Sequence, residues 1–271
     1  GSGPARRRTT RDFLEMKRRG EKIVALTAYD YLFARLVDQA GVDLILVGDS
    51  LGQVVLCHDS TIPVTLEAMI HHGRAVRRAV ERALVVVDMP SLTTRLSVEE
   101  TLRNAGRILQ QTGAEAVKLE GGDEQAAAHA RALVQAGIPV LGHIGLTPQS
   151  VHALGGYRVQ GRGEEAAARL RAEAARMADA GCFGIVLELV PSELAGEVTR
   201  AVEIPTIGIG AGPHVDGQIL VLHDMLGLNE GFQPRFLRRF AELGKATREG
   251  VAAYAEAVRG GEFPAPEHGF E

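Results

Sequence analysis

Four carboxylates in this chain stand at the ends of apolar runs: Asp49 after 44–47 and Gly48, Asp88 after 84–87, Glu120 after 116–119, and Glu188 after 184–187. Continuous Val/Ile/Leu runs are typical of parallel strands covered on both faces, and ligands of such sheets gather beyond the carboxyl ends of the strands. Asp49, Asp88 and Glu120 offer oxygen only, with no Cys or His at ligand spacing, which suits a hard cation such as Mg²⁺ rather than zinc. Lys118 lies two residues before Glu120, so on a strand it shares a face with it, one layer deeper. A buried ammonium needs anions nearby. Lys118 therefore either balances the acids or meets a substrate carboxylate. A rim of metal and lysine around an open pocket points to a small 2-oxo acid, which chelates Mg²⁺ through its keto and carboxylate oxygens.

The elements that must position these groups follow from the spacing. Asp49, Asp88 and Glu120 succeed one another at roughly 30–40 residues, the length of one strand–helix unit. Right-handed crossovers place successive strands side by side, so the acids converge on one rim. Strands are expected at 22–29, 44–47, 84–88, 116–120, 140–143, 183–189, 206–209 and 218–222. Helical stretches alternate with them at 31–40, 65–82, 97–112, 123–136, 164–180 and 191–201. Ser97 and Glu100 stand at capping-box spacing, and Thr9–Asp12 is a plausible start for a short helix packed beneath the core. A (β/α)8 barrel, with an N-terminal helix and a C-terminal helical extension over 236–258, fits this count better than an open doubly wound sheet. One domain spanning 1–271 is expected, with flexible tails at 1–9 and 260–271.

Composition narrows the partners. At 271 residues, 45% hydrophobic and 24% charged, the chain can bury a large core. A net charge of −4, a pI near 6.2 and the absence of Trp speak against nucleic acid. No apolar run approaches the ~18 residues that would suggest a membrane span. The two cysteines, Cys57 and Cys182, read as core or near-core thiols rather than a disulfide framework. With no signal peptide in the sequence, a reducing cytoplasm is expected.

A wider set of motifs carries a resemblance. The ordered series Gly48-Asp49-Ser50-Leu51-Gly52, Asp59-Ser60-Thr61-Ile62-Pro63, Val117-Lys118-Leu119-Glu120-Gly121-Gly122, Gly142-His143-Ile144-Gly145 and Gly155-Gly156-Tyr157-Arg158 resembles the ketopantoate hydroxymethyltransferase family from about Thr10 to Phe240. The resemblance implies a (β/α)8 barrel that moves the one-carbon unit of methylene-tetrahydrofolate onto the enolate of 3-methyl-2-oxobutanoate with Mg²⁺. It further implies metal-site roles for Asp49, Asp88 and Glu120, substrate contacts for Asp49, Ser50, Asp88 and Lys118, and catalytic proton acceptance for Glu188. A homodecamer is implied as well. A related Mg²⁺-dependent 2-oxo-acid lyase or mutase barrel, and a barrel that binds a 2-oxo acid without turnover, stay open as alternatives.

Two loops depart from the family pattern. Asp88-Met89-Pro90 continues as Ser91-Leu92-Thr93-Thr94 where Phe and a Ser-Tyr pair are usual, and Cys57-His58 stands where Gly-Tyr is usual. His143, at a strand end, reads either as a structural histidine or as a contact to the co-substrate. The segment 155–163, carrying Arg158 and Arg162, reads either as a lid over an anionic folate or as a plain loop.

Overall fold

The alternation of apolar runs and amphipathic stretches is realised as a closed barrel of eight parallel strands in sequence order. The structure, a computed structural model, describes residues 6–270. The chain runs α1 (Thr10–Arg18), β1 (Ile23–Thr27), α2 (Tyr31–Gln39), β2 (Leu44–Val47), α3 (Leu51–Val54), α4 (Leu66–Ala79), β3 (Leu84–Asp88), α5 (Val98–Thr112), β4 (Ala116–Glu120) and α6 (Glu124–Gln135). It continues with β5 (Val140–Gly145), α7 (Val151–Leu154), α8 (Glu164–Asp179), β6 (Gly184–Glu188), α9 (Ser192–Ala201), β7 (Thr206–Ile209), β8 (Gly217–Leu220), α10 (Leu222–Met225) and α11 (Leu243–Gly260). Helix starts sit where short polar side chains can hold free backbone N–H groups. Asp30 accepts from the N–H of Phe33, Ser97 from that of Glu100, and Asp123 from that of Ala126.

Period-two alternation sorts each strand into an interior and an exterior set. Ile23, Ala25, Leu44, Leu46, Leu84, Val86, Ala116, Leu141, Val186, Ile207 and Ile219 pack in one cluster, joined by Phe13 and Met16 of α1. The N-terminal helix therefore lies against the lower end of the barrel core, as its apolar spacing suggests. Each large apolar side chain removed from water there contributes about 1.5–3 kcal/mol.

Several expectations need correction. Residues 1–5 and 271 lie outside the described residues, so the outer parts of both expected tails do too. The rest of the N-terminal tail is tied down: Arg7 pairs with Glu115 at 3.1 Å, Arg8 with Asp43 at 3.0 Å, and the Arg8 N–H donates to Arg82 O. These acids directly precede β4 and β2, so the basic segment finds its counter-charges at the amino ends of the strands. The loop after β2 contains a single helical turn, α3. Cys57 is exposed rather than core, whereas Cys182 is buried and its thiol is pushed up to about 12 by that burial. Among the described residues, no helix is long and apolar enough to cross a membrane.

By compactness the chain divides into two units, Gly1–Val221 and Leu222–Glu271. β8 pairs with both β7 and β1, so the sheet is complete before the second unit begins. Within that second unit the helix starts at Leu243, not at 236. The N–H groups of Phe240 and Leu243 are drawn to Met225 and Leu226 carbonyls instead of to helical i−4 partners. Its last residues also fold back: the Glu262 N–H donates to Ala257 O at 2.9 Å, and the Phe263 ring meets Tyr254 edge-on.

Candidate active site

The alternation that makes the barrel interior apolar below makes it ionic above. Continuing the interior positions upward leads from Leu84 and Val86 to Asp88, from Ala116 to Lys118 and Glu120, from Leu141 to His143, and from Val186 to Glu188. Strand register then sets the neighbours: Asp88 lies beside Lys118, Glu120 beside His143, and Glu188 beside Gly145. Lys118 Nζ stands 3.0 Å from Asp88 Oδ1, 3.9 Å from Glu120 Oε1 and 2.7 Å from His143 Nδ1. On the far side of the ring, His143 Nε2 is 2.9 Å from Glu188 Oε2 and 2.9 Å from Leu146 O. One chain of contacts thus runs from Asp88 to Glu188. Gly145 makes room for its last member: at φ +86°, a Cβ there would lie 2.4 Å from Glu188 O. Only a glycine fits both the turn and the approach.

Asp49 arrives by a different route. It follows the glycine after β2, and its N–H donates to Asp88 Oδ2 at 2.8 Å. A Cβ at Gly48 would meet Ser50 Oγ at 2.8 Å, so the bare backbone at Gly48 lets the two acids and Ser50 crowd together. Ser50 Oγ shares a hydrogen bond with Tyr29 OH at 2.7 Å. The third partner of this group is one the sequence did not flag. Gln149 donates through Nε2 to Asp49 Oδ2 at 2.8 Å and to Met89 O at 2.9 Å, while its backbone N–H reaches Glu120 Oε2 at 3.1 Å. Gln149 lies in a single 3₁₀ turn, Pro148–Ser150, after β5, where no periodicity announces a role.

Burial dominates the electrostatics. Asp49, Asp88, Lys118 and Glu120 are all nearly inaccessible, while Glu188 keeps 17% of its side chain exposed. Burial, followed by repulsion from Asp88 and Glu120, holds the Asp49 carboxyl well above the usual carboxylate range. Burial likewise raises Glu120, against the pull of His143 and Lys118. Burial works against the Lys118 ammonium, yet Asp88, Glu120 and Asp49 together carry it above its ordinary value. The site is therefore an anionic pocket with one internal cation. Asp88 Oδ1 is engaged by Lys118 Nζ at 3.0 Å, while Asp88 Oδ2 accepts from the Asp49 N–H, so both oxygens of this buried carboxylate face charged or polar neighbours. Among the described residues, no three His, Cys, Asp or Glu side chains form a ready metal cage. Mg²⁺ is commonly held by one or two carboxylates with water and substrate supplying the rest. Asp49 and Asp88 meet that requirement.

A cleft of about 700 Å³ is lined by residues of the loops after β2 and β5, among them Cys57, His58, Asp59, His152 and Tyr157. Tyr157 OH is reached by Gln53 Nε2 at 3.3 Å. Burial raises its phenol, and so do the carboxylates of Glu188, Asp49 and Glu120. Arg158 and Arg162 are exposed. The segment bearing them is anchored by the Gln160 N–H, which donates to Leu189 O at 2.8 Å.

A family model described as Ketopantoate hydroxymethyltransferase matches residues 7–266. The chain belongs to the ketopantoate hydroxymethyltransferase family. A protein of Moorella thermoacetica named 3-methyl-2-oxobutanoate hydroxymethyltransferase is 54% identical over 256 residues, covering 94% of this chain and 95% of its own. One of the same name from Syntrophotalea carbinolica is 52% identical over 265 residues, covering 98% and 99%. Among solved structures, a phosphonopyruvate hydrolase described in complex with oxalate and Mg++ superposes with a TM-score of 0.62 at 14% identity, covering 95% of this chain and 92% of that one. A 2,3-dimethylmalate lyase, described as a PEP mutase/isocitrate lyase superfamily member, does so with a TM-score of 0.58 at 18% identity, covering 96% and 92%. These two show a shared fold.

The two loops that differ from the usual ketopantoate hydroxymethyltransferase pattern share a backbone feature. Cys57 has φ +61° and Leu92 φ +67°, both in the left-handed region that disfavours residues with a Cβ. Cys57 thus carries a side chain on a backbone angle that glycine adopts more readily. A third such residue, Leu189 at φ +49°, directly follows Glu188 and turns the chain at the end of β6.

Proposed function

We propose that this protein transfers the one-carbon unit of methylene-tetrahydrofolate to C3 of 3-methyl-2-oxobutanoate, with water supplying the hydroxyl, to yield ketopantoate and tetrahydrofolate. The observation that carries the reading is the buried layer in which three carboxylates and one ammonium converge, with a partly exposed carboxylate, Glu188, reached across His143. Asp49 and Asp88 would hold Mg²⁺, with Glu120 in the acidic surround. The oxygen-only donor set and the close approach of the Asp49 backbone to the Asp88 carboxylate fit that cation. When bound, Mg²⁺ withdraws electron density from the keto group and so acidifies C3.

The protein's own residues do the rest. Asp49, Ser50, Asp88 and Lys118 surround the 2-oxo acid. Ser50 is oriented by Tyr29, and Lys118 offsets the negative charge of the substrate and of the enolate that forms. Glu188 removes the C3 proton as general base: the C–H electron pair becomes the C2–C3 double bond, and the keto oxygen takes the charge. The enolate carbon then attacks the one-carbon unit. The cleft lined by His58, Asp59 and Tyr157 receives the folate, with Arg158 and Arg162 near its anionic tail.

The homodecamer is the assembly the family resemblance implies, and the outward apolar pair Leu32 and Leu36 on α2, 69% and 61% exposed, is surface available for a subunit contact. An exposed, unpaired Cys57 suits a reducing cytoplasm. The deciding assay is formation of ketopantoate from 3-methyl-2-oxobutanoate with methylene-tetrahydrofolate and Mg²⁺. Absence of product, with the 2-oxo acid still bound, refutes the transfer.

A further inference from the structure

We infer that His143 is a positioning residue that aims Glu188 at the substrate, with its own orientation set by Lys118. The inference rests on the reading of Glu188 as the base. It begins with the two ring nitrogens. Lys118 Nζ lies 2.7 Å from Nδ1, and an ammonium only donates, so Nδ1 accepts and carries no proton. The ring proton is therefore on Nε2. That N–H faces two acceptors at the same distance of 2.9 Å, Leu146 O and Glu188 Oε2.

The ring has little freedom to do otherwise. It is 4% exposed, its strand neighbours are Glu120 and Val186, and Glu120 Oε1 stands 3.7 Å from Nδ1, too far to replace Lys118. A buried ammonium thus sets the tautomer, and the tautomer sets which carboxylate oxygen is tethered. With Oε2 held, Oε1 takes the C3 proton while the C–H electrons pass into the enolate. The hydrogen bond to Leu146 O keeps the ring in place when Glu188 shifts on protonation. Glu188 needs such a tether because the residue after it, Leu189, turns out of the strand and the facing position, Gly145, has no side chain to pack against it. The arrangement parallels the way a histidine bound at one nitrogen is fixed by the hydrogen bond at the other.

Two substitutions separate the nitrogens. In His143→Gln the side-chain amide lies near the place of Nε2 and keeps a donor for Glu188. In His143→Asn the shorter amide lies near Nδ1 and leaves Glu188 untethered. We expect 3-methyl-2-oxobutanoate to bind both variants in the presence of Mg²⁺ as it binds wild type, by calorimetry. Deuterium entry at C3 in D₂O, followed by NMR without folate, should fall roughly 10-fold or more in His143→Asn, the range for loss of a residue that orients a reacting group. His143→Gln should stay within a few-fold of wild type. In a Glu188→Gln background His143→Asn should add nothing.

Equal losses in the two variants, or an Asn effect undiminished in the Glu188→Gln background, overturn the inference. A direct readout requires no turnover: assigned ¹⁵N resonances of His143 in the metal-free wild-type protein should show Nδ1 unprotonated and Nε2 protonated, and the reverse pattern also overturns it. Wild-type exchange in Glu188→Gln alone defeats the base assignment instead, and the ¹⁵N pattern still reports on the tether.

Discussion

Replacing Lys118 with Met keeps most of the side-chain volume and removes the only cation inside an anionic cluster. Lys118, Asp49, Asp88 and Glu120 carry a formal charge of −2 when all are ionised, and −3 without the lysine. Asp88 then loses the ammonium 3.0 Å away, and Glu120 the one at 3.9 Å. Removing one partner of a buried pair costs about 3–5 kcal/mol. With a urea dependence of roughly 2–3 kcal/mol per M for a chain of this size, the unfolding midpoint should drop by about 1–2.5 M.

The loss should depend on pH. Asp49 and Glu120 are already raised in the folded protein, so they bind protons more tightly there than in the unfolded chain, whose values are near 3.8 and 4.5. Their destabilising charge is felt in full above the folded value and is relieved as pH falls through it. Losing Lys118 widens that window, so the deficit should be largest near pH 8 and shrink towards pH 5. Urea titrations in EDTA across this range measure it directly, and added Mg²⁺ should recover part of the loss by restoring positive charge. A deficit below about 1 kcal/mol, or one that does not change with pH, refutes the account of Lys118 as the cluster's counter-charge.

Glu188→Gln should retain fold and 2-oxo-acid affinity while C3 deuterium exchange falls by about 10²-fold or more, and wild-type exchange rules Glu188 out as the base. Asp88→Asn should weaken Mg²⁺ and 2-oxo acid together in calorimetry, because the acid and the substrate share the cation; unchanged 2-oxo-acid affinity with Mg²⁺ present argues against a bridged pose. Cys57→Gly should relieve the left-handed strain of about 1–2 kcal/mol, partly offset by the extra freedom glycine has when unfolded, for a net gain of up to about 1 kcal/mol in thermal or urea unfolding. A destabilised Cys57→Gly shows that the thiol makes contacts worth more than the strain.

How much of this was readable beforehand depended on the range of the interaction. Asp88, Glu120 and Glu188 were visible because each ends a local apolar run, and the barrel because those runs recur at strand–helix intervals. Lys118 was placed by period two within a single strand. His143 could not be settled that way: its role depends on Lys118 one strand away and Glu188 on the next, and strand register is a property of the closed sheet. Gln149 was hidden for a similar reason, since a loop amide that spans Asp49, Met89 and Glu120 has no local pattern. The helix start misplaced at 236 reflects carbonyls at Met225 and Leu226 that capture N–H groups a helix would otherwise use.

The ionic layer and the apolar layers beneath it occupy successive rungs of the same eight strands, so their relative placement is inherited from backbone pairing. The rim is built differently. Cys57 and Leu92 hold unfavourable backbone angles in loops that carry no part of the Asp88–Lys118–His143–Glu188 chain. Sequence drift at the mouth can therefore proceed without disturbing the reacting groups below. In such a barrel the reacting groups and the walls of the mouth are held by different parts of the chain.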